Sequence, residues 1–337
     1  IAEWTGTVTF YQQEAISSNC INFGGFVGWA TTPITISNIV SKGDTILSHT
    51  KAAAINTTGG SFGGFVGRCE NGATISDCTN NGQTAWTSSN TGSSNGNDIN
   101  LGGIVGRIVE GNSSIINCHN KGKIANMHYN NLPWSTTYNT NCSGGIIGSF
   151  GAKASPVGAI TIEKCTNAAN ISAYRGAIAG IAGFLANATV KGCEYRIGAI
   201  EDQVNVVCAG IAGIAADSHF IDCVATVNMS GYNAGSLDMR AGGIVAHLMG
   251  TSSVSNCSYY GEITPKKLRD KAPEYFGGIA GLAQDETISI TNCRCGGTIN
   301  GNVISDNNLS TYIINYSPNG GAATNATVTG CSYWDGK

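Results

Sequence analysis

A block of two glycines, two apolar residues and usually a third glycine keeps returning along this chain. It reads "GGFVGRCENGATISDC" at 63–78, "GGIVGRIVEGNSSIINC" at 102–118 and "GGIVAHLMGTSSVSNC" at 242–257. The second glycine of the block falls at 25, 64, 103, 145, 243, 278 and 321, and "AGIAG" supplies Gly180 and Gly210 in the same place. The spacings are 39, 39, 42, 35, 30, 33, 35 and 43, so nine units cover nearly the whole chain and residues 1–337 read as one repeat domain. A chain built this way must bury each unit against the next, which restricts it to a solenoid.

The end of each unit is sharper than its start. Cys20, Cys78, Cys118, Cys165, Cys193, Cys223, Cys257, Cys293 and Cys331 recur at one place, with Ile39 standing in once. The residue before each is Asn19, Asn38, Asp77, Asn117, Lys164, Gly192, Asp222, Asn256, Asn292 or Gly330; all but Lys164 tolerate a left-handed backbone. Three before the ladder position stand Ile36, Ile75, Ile115, Ile162, Val190, Phe220, Val254, Ile290 and Val328, and only Ser17 breaks the rule. Residues i and i+3 of an uninterrupted strand face opposite sides. For both the branched residue and the cysteine to enter the core, a one-residue bend must lie between them. Each unit is then a coil of very short strands and tight corners, with like residues stacked about 4.8 Å apart. Leucine-rich repeats lack their leucine framework here, and no 3.6-residue stripes point to helical repeats.

In these glycine blocks and cysteine corners, from about residue 16 to 333, the chain resembles GLUG-motif repeat proteins. Such repeats occur in Bacteroidetes-type surface adhesin-like proteins and in a region of some IgA1-specific proteases. The resemblance implies an all-β, right-handed parallel β-helix of about nine or ten coils. It implies no single activity.

Composition narrows function further. Charged residues make up 12% and the net charge is −3, so no basic stripe exists to track nucleic acid. The longest apolar stretch, 176–190, is shorter than a bilayer span and carries its glycines in repeat phase, so it reads as solenoid wall. The chain opens at Ile1, which is expected for a processed piece of a longer surface protein. The ladder cysteines read as buried, reduced thiols acting as small hydrophobes, whereas Cys69, Cys142, Cys208 and Cys295 lie off the ladder and are open to pairing. The five histidines show no H-E-x-x-H spacing, no zinc signature surrounds Cys293 and Cys295, and no metal or cofactor is expected. Glu70 with Glu110, and Asp217 with Asp285, are candidates for an acid pair in a carbohydrate-active enzyme, or simply solvated turn carboxylates.

Two insertions in consecutive units, 79–101 and 119–143, carry Trp86 and then His128, Tyr129, Trp134 and Tyr138 among polar residues. Aromatics in such settings stack on sugar rings, or fold back over the coil; both readings stand at this point. The charged segment 265–275 reads as a solvated turn. Ten N-x-S/T sequons fall at Asn56, Asn112, Asn141, Asn170, Asn187, Asn228, Asn256, Asn308, Asn315 and Asn325, about what chance gives in so Asn-, Ser- and Thr-rich a chain. The expectation is a non-enzymatic, extracellular or cell-surface, adhesin-like rod that does not span a membrane and presents loops to a host or environmental glycan or surface protein. A carbohydrate-active enzyme and a structural spacer are the alternatives.

Overall fold

The computed structural model describes residues 2–4, 8–12, 21–49, 59–88, 98–127, 141–151, 158–173, 176–202, 206–231, 239–265, 274–283, 285, 287–315 and 326–337. One coil shows the plan. It runs through strands Gly59–Gly63, Val66–Asn71, Ala73–Ser76, Thr79–Asn80 and Thr84–Ser88, and the next coil repeats all five from Asp98. Each strand pairs in parallel with its counterpart one coil on: Phe62 with Leu101, Arg68 with Arg107, Ile75 with Ile115, Asn80 with Asn120 and Ala85 with Ala125. The result is a parallel β-helix whose faces are two eight-stranded sheets flanking the glycine pair, a nine-stranded sheet carrying the branched residues, and an eighteen-stranded sheet after the cysteines. Among the described residues the single helix is Leu309–Tyr312 and the single antiparallel pairing joins Arg294–Ile299 to Asn302–Val303.

The bend between branched residue and cysteine is where the sequence puts it. Asn38, Asp77, Asn117, Lys164, Asp222, Asn256 and Asn292 have φ between 52° and 58°, and Gly192 and Gly330 occupy the same corner with φ 58° and 66°. Left-handed backbone at one residue turns the next side chain inward. Ile75, Ile115, Ile162, Val190, Phe220, Val254 and Ile290 are therefore buried together with Cys78, Cys118, Cys165, Cys193, Cys223, Cys257 and Cys293. The thiols also serve as weak donors. Cys165 Sγ lies 3.4 Å from Glu163 O in its own coil and 3.3 Å from Ile115 O in the coil before. Burial pushes the Cys165, Cys193 and Cys257 thiols above their ordinary pKa. The twelve described cysteines form no disulfides with one another; off the ladder, Cys69, Cys208 and Cys295 are in the main core and Cys142 lies outside it.

One ladder assignment needs correction. The column runs from Cys78 through Ile39 to Ala2, because Thr79 pairs with Val40 and Ile39 with Ala2. Ile21 pairs with Gly60 on a different face. The ladder therefore bypasses position 20, and Cys20 itself lies outside the described residues. Cys331, at the other end, is only half-buried.

The glycine block is explained by what presses on it. A Cβ on Gly103 would stand 2.2 Å from Gly145 O and 2.4 Å from Asn120 Oδ1. One on Gly106 would stand 2.4 Å from Phe62 N in the preceding coil. The second glycine thus makes room for the side chain two residues after the ladder position. That side chain is Asn80, Asn120 and Asn167 in three successive coils, then Tyr195, Ala225, Tyr259 and Cys295. The three asparagines form a buried ladder: Asn80 Nδ2 donates to Asn120 Oδ1 at 3.0 Å and Asn120 Nδ2 to Asn167 Oδ1 at 2.8 Å.

Candidate functional site

The outward faces of the two sheets flanking the glycine pair turn toward one another and close a seam along the outside of the rod. Two positions of each coil belong to it by register, three residues before the second glycine and four after. Arg240 and His247 occupy them in one coil, with Nη1 2.6 Å from Nδ1. By register the other coils place Asn22 with Trp29, Ser61 with Arg68, Asn100 with Arg107, Cys142 with Ser149, Ala177 with Phe184, Val207 with Ile214, and Tyr275 with Leu282. The middle of the seam is a small second core, formed by Cys142, Ala177, Phe184, Val207, Ile214 and neighbouring residues. Its first coils are instead polar.

At this polar end Trp29 is 61% exposed, and its indole Nε1 donates to Glu70 Oε1 at 2.9 Å. Arg68 grips the same carboxylate through Nε to Oε1 at 2.7 Å and Nη2 to Oε2 at 3.4 Å. Arg107 stands one coil further along the same column. Partial burial opposes the charged form of Glu70, but the bonds from Arg68 and Trp29 and the charges of Arg68 and Arg107 outweigh it and hold the carboxyl below its ordinary pKa. On the facing sheet Asn100 is 1% exposed, yet neither its Nδ2 nor its Oδ1 has a hydrogen-bond partner. Ser149 Oγ and Asn22 Oδ1 are in the same condition. Buried polar atoms without partners are uncommon, and Asn100, with both of its side-chain polar atoms unmet, calls for a specific cause.

The residues expected from sequence to bind a ligand fare differently. Trp86 is fully buried, edge-on to Phe62 with ring centroids 4.9 Å apart, and so is a core residue rather than an exposed binding aromatic. His128, Tyr129, Trp134 and Tyr138 lie outside the described residues. Their segment joins Ile124–Met127 to Cys142–Gly144, and 89–97 joins Thr84–Ser88 to Asp98–Gly102. Both connections therefore fall at the same corner of neighbouring coils, between strands that end at Ser88 and Met127 and strands that carry Asn100 and Cys142. Much of 79–101 and 119–143 is the rod itself.

The four candidate acids do not pair with each other. Glu70 is engaged by Arg68 and Trp29, and Glu110 aligns with Asn71 instead. Asp217 accepts from Thr251 N at 2.9 Å and Asp285 from Gly250 N. In the charged segment 265–275, Glu274 is fully buried, which corrects the expectation of a wholly solvated turn; 266–273 lie outside the described residues. His119 hydrogen-bonds with Thr166 Oγ1 at 2.8 Å and His219 with Ser253 Oγ at 2.9 Å. Among the described residues no three His, Cys, Asp or Glu side chains are placed to hold a metal ion. Several sequon asparagines act as backbone acceptors between coils, as Asn170 does for Ala199 N at 3.1 Å and Asn228 for Glu262 N at 2.9 Å.

Trp29, Arg68, Arg107 and Asn100 were not singled out in the sequence. The signal was available: once the blocks are aligned on the second glycine, the two seam positions form columns whose character changes along the chain. No protein-family model matches the chain, and no curated protein or solved structure does either.

Proposed function

We propose that this chain is a non-enzymatic, extracellular or cell-surface β-solenoid, adhesin-like in the manner of the GLUG-motif proteins it resembles, which binds glycan along one side of the rod. The observation that carries the reading is Trp29: a large exposed aromatic fixed at its nitrogen by Glu70, among arginine and amide side chains. A stacking face edged by fixed polar groups is what sugar recognition requires. The insertion corner beside the seam supports it, because long connections on a rigid scaffold are where binding residues accumulate. Against the enzyme alternative, Glu70, Asp217 and Asp285 already hold local partners. No helix among the described residues is long and apolar enough to cross a membrane.

A glycan array probed with the full chain tests the proposal. Binding that weakens on Trp29→Ala, in a protein whose circular dichroism is unchanged, is the expected result. An array with no specific signal rejects it.

A further inference from the structure

We infer that the polar end of the seam is a binding site for an acidic sugar, with the carboxylate of a uronic acid received by Arg107 and Asn100 and the ring face laid on Trp29; this rests on the glycan-binding reading above. Three observations converge there. Arg68 and Arg107 stand in consecutive coils of one sheet and both act on a single carboxylate, Glu70. Asn100 occupies the seam position that answers to Arg107 in its coil, and its side-chain amide is buried with both of its polar atoms unmet, as is the hydroxyl of Ser149, which follows Arg107 in the next coil. Trp29, exposed at the mouth, is tied to that same Glu70.

The chemistry matches one ligand class. A planar guanidinium presents donors in a fork that fits a carboxylate, and the unmet Asn100 Nδ2 offers a further donor. Arg68 and Arg107 are half-buried, with side chains long enough to change rotamer. A neutral sugar would offer stacking and hydroxyls but leave the guanidiniums without their gain. The apolar second core follows along the seam, from Cys142 through Ala177 and Phe184.

Calorimetric titration of the full chain with digalacturonate and with galactobiose provides the test. Digalacturonate should bind at least about ten-fold tighter than the neutral disaccharide. Asn100→Asp sets a carboxylate where the ligand's would sit; it should lower the affinity for digalacturonate by about ten-fold or more while the melting temperature holds or rises. Arg107→Lys keeps the charge without the fork and should lower that affinity as well, and Trp29→Ala should weaken both sugars. Equal binding of the two sugars, or acid binding that survives both Asn100→Asp and Arg107→Lys, overturns the acidic-sugar assignment and leaves glycan binding standing. Binding of neither sugar overturns the site, and the array then decides the broader reading on its own. Should Asn100→Asp fail to fold, Arg107→Lys and Trp29→Ala carry the same comparison.

Discussion

Replacing Asn120 by alanine should be among the more damaging single changes to the rod, for reasons that lie entirely in the buried asparagine ladder. Asn120 is fully buried and makes three side-chain bonds: it accepts from Asn80 Nδ2 at 3.0 Å and donates to Asn167 Oδ1 and to Gly122 O, each at 2.8 Å. Each such bond is worth about 1 kcal/mol net, and a buried acceptor left empty costs about 1–3 kcal/mol. Asn80 keeps its bond to Gly82 O, so the main losses fall on Asn167 Oδ1 and Gly122 O. The sum is about 3–5 kcal/mol. Alanine itself does not offend the backbone, since Ala225 occupies this column two coils beyond Asn167. Urea unfolding followed by circular dichroism, with hydrogen exchange to localise the loss, measures the effect. A double-mutant cycle with Asn80→Ala should give a coupling of about 1–2 kcal/mol. A loss below about 1 kcal/mol, or strictly additive variants, would refute the idea that the amides act as a connected ladder.

Three further outcomes follow from the corner, the glycine block and the thiol column. Lys164 holds φ 52° at a place where Asn is the common residue, so Lys164→Asn should stabilise by about 1 kcal/mol, read as a rise in urea midpoint. Gly106→Ala should destabilise by about 3 kcal/mol, the upper end of overpacking, because its Cβ meets Phe62 N and Gly67 O at 2.4 and 2.5 Å and neither is a side chain that can move. Burial raises the folded-state pKa of Cys165, Cys193 and Cys257, so their contribution to stability is complete below the unfolded thiol pKa of about 8.5 and is lost as pH rises above it. Stability should therefore fall by about pH 9.5, and native-state labelling with a water-soluble thiol reagent should be slow until urea opens the rod. An alkaline limb that is flat, or fast native labelling, would contradict the placement.

The parts of the fold that depend on backbone geometry were legible from the sequence. Two inward residues three apart demand a bend, and only a left-handed residue supplies it in one step; hence even Lys164 could be placed at a corner. Cys20 misled because Asn19-Cys20 copies the local corner, while the missing branched residue at Ser17 marked it as outside the column. Trp86 misled for the opposite reason. Its neighbours are Thr and Ser, but the register aligns it with Leu47 and Asn126, and Thr84 and Ala85 beside it are buried as well. Polar residues in a narrow coil are often interior, so local polarity is a poor guide to exposure here. The seam was missed because its two sheets meet through faces that a solenoid would ordinarily leave to water.

That meeting of faces gives the rod a place where chemistry can vary without breaking the coil. Positions in the main columns are tied to backbone features, such as the clearance above Gly103 and Gly180, so what fills them must fit a fixed space: an asparagine, an alanine, a tyrosine lying flat under glycine. The paired seam positions carry no such demand. They run from Asn22/Trp29 through Asn100/Arg107 and Ala177/Phe184 to Arg240/His247 over an unchanged strand register. Placing half-buried guanidinium groups there carries a desolvation cost, and an apolar filling like that of Phe184 and Ile214 would be the easier way to close the first coils. Their polar filling is therefore not what packing alone would select. A polar set of this kind, with the Asn100 amide unmet and Trp29 exposed at the edge, is what the proposed ligand would complete.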